Sequence, residues 1–188
     1  MVMRVKGSAF RQVIDTWVEL RGRAFADQAL ASLEGPAGEA LRHGAVIASG
    51  MYAVGWYGAL VREGAETSAD PAAFAHEVGR RSTERDIGTL HRLLFRALSV
   101  ETIVNQVPRL LGLYFEGGRG QVVVAAPGRI RLTFEAFHGF DEYLWRDLAG
   151  ACEAMLAATG VFATKATVIE GGLADRAVVE LTYSSTAP

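Results

Sequence analysis

Apolar positions in the first half of the chain recur at three- and four-residue steps, while those of the C-terminal third alternate, which predicts a helical part followed by hairpins. Phe10, Val13, Ile14, Trp17 and Val18 mark one buried helical face that opens after Gly7-Ser8 and breaks at Gly22. Phe25, Ala29, Leu30 and Leu33 restart the pattern; Gly35-Pro36 is expected to end it, with a short segment over Glu39–His43 beyond. Ala45 to Gly64 reads as one largely buried helix, with Tyr52, Trp56, Leu60 and Ala53, Tyr57, Val61 at helical spacing. Asp70-Pro71 is a helix start, the Asp as N-cap and the Pro at the first position. That helix carries Phe74 and Val78 towards Ile87, and Leu90, Leu94 and Leu98 extend the stripe past Gly88. Ser99 caps a further helix bearing Ile103, Val107, Leu110, Leu111 and Tyr114, which Pro108 bends or restarts.

At Gly117 the texture changes. Gln121–Ala126 and Ile130–Phe137 read as strands joined by Pro127-Gly128, the second alternating Ile130, Leu132, Phe134. Tyr143–Thr159 is a helix with Leu144, Leu148, Cys152, Met155 and Leu156 near one face and Gly160 as its C-cap. Ala163–Glu170 and Arg176–Tyr183 form a second strand pair around Gly171-Gly172. The expected fold is α+β: a helical part over about 1–116, then a β-hairpin–helix–β-hairpin part over about 117–184 that forms an antiparallel sheet. No linker or repeat interrupts it, so one domain over 1–188 is expected.

Half of the 188 residues are hydrophobic and 21% are charged, a balance that folds. A net charge of −2 offers no global attraction to nucleic acid or to an anionic membrane, so neither is expected as a partner. Met1–Phe10 lacks an apolar run, and Ala45–Val61 is too short and too rich in Gly to span a bilayer. The cytoplasm is the expected compartment. A single cysteine, Cys152, excludes an intrachain disulfide and a multi-thiolate metal site.

Several short stretches resemble an uncharacterised family found in myxobacteria, within the superfamily of haem–nitric-oxide-binding, vinyl-reductase-like and TRAPP-subunit domains. They are Val5-Lys6-Gly7, Ser49-Gly50-Met51-Tyr52 with Trp56-Tyr57, Val78-Gly79-Arg80, and Val107-Pro108-Arg109-Leu110-Leu111 with Tyr114. The β segment after Gly118 matches too, so the resemblance spans nearly the whole chain. It implies a helical part closed over a hairpin–helix–hairpin sheet, and a domain that binds a small or hydrophobic ligand, a lipid chain or a protein partner, itself included as a homodimer. The chain departs from the haem-binding members in lacking their Tyr-x-Ser-x-Arg motif: Tyr183-Ser184-Ser185 has no Arg. It also has no thiol in Glu170–Ala177, where vinyl-reductase-like members carry paired cysteines. No cofactor is therefore expected, haem included, and no metal.

Candidate chemistry is sparse. Tyr52, Trp56, Tyr57, His91 and Tyr114 are the candidate pocket or interface residues, because Tyr and Trp put polar tips on large apolar bodies and His91 adjoins the Leu90/Leu94 stripe. The alternative for the aromatics is core packing. Arg81, Arg85, Arg92 and Arg96 fall on one face of a continuous helix, as a docking surface or as a solvated face paired with Glu77, Glu84 or Asp86. His43, His76 and His138 form no ligand pattern, Cys152 packs as a small hydrophobe, and Gly117-Gly118-Arg119-Gly120 is a turn. Carboxylates such as Glu135 and Asp141 have no partner legible in sequence, and no nucleophile elbow, Cys–His pairing, metalloprotease helix or Walker loop occurs. The expected function is non-enzymatic: a sensory or adaptor domain. A haem-based gas sensor and an enzyme acting on a small hydrophobic substrate are the alternatives.

Overall fold

The computed structural model describes residues 2–96 and 99–185, with the backbone alone for 89–96 and 124–125. The chain opens with β1 (Arg4–Lys6), α1 (Gly7–Arg21), α2 (Arg23–Ser32), α3 (Gly35–Arg42), β2 (Met51–Ala53) and α4 (Val54–Glu66). It continues with α5 (Pro71–Arg96), α6 (Val100–Tyr114) and β3 (Phe115–Glu116). The last part is β4 (Arg119–Ala126), β5 (Arg129–Glu135), α7 (Glu142–Ala157), β6 (Phe162–Gly171) and β7 (Ala177–Ser184). This is the α+β order expected, with the helices first and the hairpin–helix–hairpin last.

The apolar stripes set the helices as the spacing implies. Phe10, Val13 and Trp17 are fully buried on α1, and the Val18 carbonyl takes the amide of Gly22 where the helix stops. Asp70 caps α5 by accepting from the Ala73 amide at 3.0 Å, and Ser99 caps α6 by accepting from the Thr102 amide at 3.2 Å. Asp70→Ala is expected to cost about 1 kcal/mol, a drop of roughly 2–4 °C in the thermal midpoint of a chain this long. Unfolding followed by circular dichroism checks it. Gly88, at φ 55 and ψ −179, kinks α5 where the sequence left a break open. Pro108 stands inside α6, which runs unbroken past it.

Two sequence expectations change. Gly35-Pro36 opens α3 rather than merely ending α2, since Pro suits the first turn of a helix. The single helix expected over Ala45–Gly64 begins only at Val54. The carbonyls of Ala48 and Gly50 accept from the Ser8 and Gly7 amides at 3.0 and 2.8 Å, filling the open N-terminus of α1. Met51–Ala53 then pairs antiparallel with Lys6–Arg4. A segment whose backbone is spent on another helix and another strand cannot also coil on itself. β3 completes a small sheet in the order β2-β1-β3.

The larger sheet is antiparallel in the order β4-β5-β7-β6. Its central strands turn Ile130, Leu132 and Phe134, and Ala177, Val179 and Leu181, inwards, all buried. α7 lies on that face with Leu144, Trp145, Leu148, Cys152 and Leu156 buried, and the Trp145 indole donates to the Ala174 carbonyl at 2.7 Å. On its other side α7 makes its most extensive contact with α5. That crossing rests on two glycines. A Cβ on Gly79 would stand 1.9 Å from the Asp147 carbonyl oxygen, and one on Gly150 2.0 Å from that of His76. The two helices touch backbone to backbone. Among the described residues no helix is long and apolar enough to cross a membrane.

Candidate functional site

A cavity of about 350 Å3 lies where α1, α4, α5 and α6 meet α7. Its walls are mainly apolar: Ala9 from α1, Ile87 from α5, Leu110 and Leu111 from α6, and Leu148, Ala151 and Met155 from α7. Ser82, Thr83 and Asp86 of α5, with Gln12 of α1, add polar atoms. Ser82 is tied to α1 by its hydroxyl contact with Thr16 at 2.9 Å. The volume and the mixture of apolar wall with a few polar groups are those of a small-molecule site.

Its chemical centre is a pair of which the sequence singles out Tyr57 and not its partner Asp147. Asp147, buried on α7, accepts the Tyr57 hydroxyl of α4 through Oδ2 at 2.9 Å, and both residues line the cavity. Asp147 Oδ1 is buried with no hydrogen-bond partner among the described residues. Burial pushes the Asp147 carboxyl up to about 7, a rise that the Tyr57 hydrogen bond partly offsets. Burial, then the neighbouring Asp147, raises the Tyr57 phenol well above its ordinary value. An acid within an apolar stripe, between Leu144 and Leu148, was the available signal.

The candidate residues are placed as follows. Tyr57 and Tyr114 line the cavity. Tyr52 and Trp56 do not line it; they stack at 5.9 Å, and Tyr52 meets Phe10 edge-on. The Tyr52 hydroxyl donates to the Ala45 carbonyl at 3.0 Å and accepts from the Ile47 amide at 2.8 Å, pinning the loop before β2. The side chains of His91, Arg92 and Arg96 lie outside the described residues, as do those of Leu90, Leu94 and Leu98. Arg81 bonds Glu77 at 2.8 Å; Arg85 bonds Glu19 and, at 3.1 Å, the Thr16 hydroxyl, so both hold acids rather than stand apart.

Several other titratable groups have structural partners or are buried. Cys152 is buried and its thiol is pushed up to about 12 by burial, so it is no nucleophile at neutral pH. His76 sits 3.5 Å from Glu153, which itself accepts the Ala166 amide at 2.8 Å. Burial lowers the His76 imidazole's pKa against the pull of Glu153. His138 pairs with Asp175 at 3.3 Å. Asp141 caps α7 through the Leu144 amide at 2.9 Å and pairs with Arg62. Among the described residues no three His, Cys, Asp or Glu are grouped to hold a metal ion.

No family model matches the chain, and no curated protein matches it in sequence. Its fold is nonetheless shared with solved structures of H-NOX proteins. A mutant Fe(II) unliganded H-NOX protein from K. algicida is 12% identical, covers 95% of this chain and 96% of its own, and gives a TM-score of 0.68. An H-NOX structure determined to probe haem distortion is 14% identical over 97% of both chains, with a TM-score of 0.68. An oxygen-binding H-NOX domain related to soluble guanylate cyclases is 14% identical, over 97% of this chain and 98% of its own, at 0.66. At such identities the likeness is one of fold.

The expectation of no cofactor, haem included, is thereby overturned, because the neighbours in fold are haem proteins. That expectation rested on one missing motif, and a fold with its central cavity persists without it. The described lining suits the apolar faces of a haem, and Tyr114 and Met155 are of the kinds that ligate haem iron, while the Tyr57 hydroxyl is given to Asp147. It presents no imidazole, and no Arg or Lys for the propionates, among the described residues.

Proposed function

We propose that the chain is a sensory domain that takes a small molecule into the cavity beside Tyr57 and Asp147, and that haem-based gas sensing is the form of this function its fold favours. The observation that carries the reading is the cavity itself. It stands between the helical part and α7, in a fold shared with solved H-NOX domains. Ile87, Leu110, Leu111 and Leu148 would hold the faces of the ring, and His91 of α5, whose side chain lies outside the described residues, is the proposed iron ligand. Bound haem would contribute reversible capture of a diatomic gas. Tyr57 and Asp147 would set the polarity of the space around it.

A second reading is a sensor of an uncoloured apolar molecule in the same cavity. It is favoured by the carboxyl of Asp147 in a lining with no cation among the described residues, which suits a neutral ligand better than propionates. Absorbance of the purified chain after addition of haem distinguishes the two. A Soret band that shifts with carbon monoxide and is lost in His91→Ala is expected for the haem form. No Soret band in the wild type removes haem and leaves the second reading.

A further inference from the structure

Three of the polar side chains that line the cavity, Ser82, Thr83 and Asp86, stand on one helix, α5. Ser82 is buried, Thr83 half-buried and Asp86 exposed, so this polar row runs from the interior of the cavity to its mouth. Leu113 of α6, also in the lining, is exposed as well. Behind the mouth the space is walled by apolar side chains such as Leu111 of α6 and Leu148 of α7. The described mouth carries negative charge and no positive charge. Arg81 and Arg85 of α5 bond Glu77 and Glu19 and do not line the cavity. No Arg, Lys or His stands in the described lining at all. A charge carried into the apolar interior loses its hydration at great cost, whereas one left at the mouth keeps water around it. A ligand that fills such a site is therefore uncharged along its body, and any charge it bears sits at the end that meets Asp86.

Resting on the second reading above, in which the cavity holds an uncoloured molecule, we infer that its ligands are small cationic amphiphiles: a compact apolar body with one ammonium group, the body between α6 and α7 and the ammonium at Asp86. Asp86 is the specificity residue. Its carboxylate attracts an ammonium head and repels a carboxylate head on the same body. Thr83 and Gln12, half-buried in the same lining, carry acceptor oxygens for the remaining ammonium protons.

4-Phenylbutylamine and 4-phenylbutyrate share one body and carry opposite heads at neutral pH, and their binding to the full chain, followed by calorimetry at low ionic strength, tests the idea. The wild type is expected to bind the amine about tenfold more tightly than the acid, attraction and repulsion at a hydrated carboxylate contributing up to about fivefold each. In Asp86→Asn the ratio of the two affinities is expected to fall close to one. Glu66→Gln removes an exposed acid outside the lining and is expected to keep the wild-type ratio. Ala151→Phe is expected to weaken both probes together. A wild-type ratio near one, which needs no variant to read, overturns the inference while the cavity stands as a ligand site, and so does a ratio that Asp86→Asn leaves unmoved. Affinities that Ala151→Phe does not touch place the probes outside the cavity and overturn it too. If neither probe binds the wild type, the second reading of the cavity fails and the inference goes with it. Thermal unfolding of each variant confirms that a folded protein is being titrated.

Discussion

Gly150→Ala and Gly79→Ala are each expected to lower the thermal midpoint by roughly 10 °C, about 3–4 kcal/mol at the 2–4 °C per kcal/mol usual for this chain length. The added methyl would stand 2.0 Å from the His76 carbonyl oxygen in the first case and 1.9 Å from that of Asp147 in the second. Both obstacles are helical backbone, so no side chain can swing aside. The helices must part, and the apolar contacts along the α5–α7 crossing loosen with them. Because both variants spread the same crossing, the double variant is expected to cost clearly less than the sum of the two. Gly55→Ala is the control: a Cβ there meets nothing within 4 Å, so alanine on α4 is expected to be neutral or to stabilise by up to about 1 kcal/mol. Thermal unfolding of the four variants beside the wild type gives the comparison. Equal midpoints for Gly55→Ala and Gly150→Ala would mean the helices are not in backbone contact.

Asp147→Asn is expected to make the protein more stable at pH 8 than the wild type, with a much smaller advantage at pH 5. The folded carboxyl titrates at about 7 against 3.8 for the free group, so over that interval the folded chain keeps a proton that the unfolded chain has released. Stability therefore falls as pH rises from about 4 to about 7 and is level above, where the buried carboxylate is ionised in both states. At 1.36 kcal/mol per unit the full effect is about 4 kcal/mol, and roughly 2–3 kcal/mol of it falls between pH 5 and pH 8. The neutral amide has no such titration. The midpoint gap between variant and wild type is accordingly expected to widen by about 5–10 °C from pH 5 to pH 8. A gap that does not move with pH would show that Asp147 carries its ordinary charge when folded.

The helices and hairpins were legible because their apolar residues sit at one period over long enough runs. Phe10, Val13 and Trp17 declare α1, and Ile130, Leu132 and Phe134 declare β5, each with its buried face as read. The segment before α4 was not legible. Its aromatic spacing matches a helix, yet its carbonyls cap α1 and its residues 51–53 pair with β1, both partners distant in sequence. Strands of two or three residues, such as β2 and β3, carry no period at all.

The candidate site was less legible than the fold for the same reason. Tyr57 drew notice as an aromatic on a glycine-rich helix, but its partner Asp147 lies 90 residues away, and only the folded chain joins them. The cavity is a gap left by residues such as Ala9, Gly79 and Ala151 on three helices, and no local pattern announces that those positions face one another. The cofactor expectation went astray because a motif is a property of a few residues, whereas the fold shared with haem domains is a property of the whole chain.

Native mass spectrometry of the purified chain beside Ala151→Phe, with and without added haem, tests most directly whether the cavity is a ligand site. Ala151 lines the space, and a phenyl group there intrudes into it. The account expects a non-covalently held small molecule on the wild type in at least one of the two conditions, and none on an equally folded Ala151→Phe. Bare chain mass for both proteins in both conditions, or the same bound molecule on both, would contradict it.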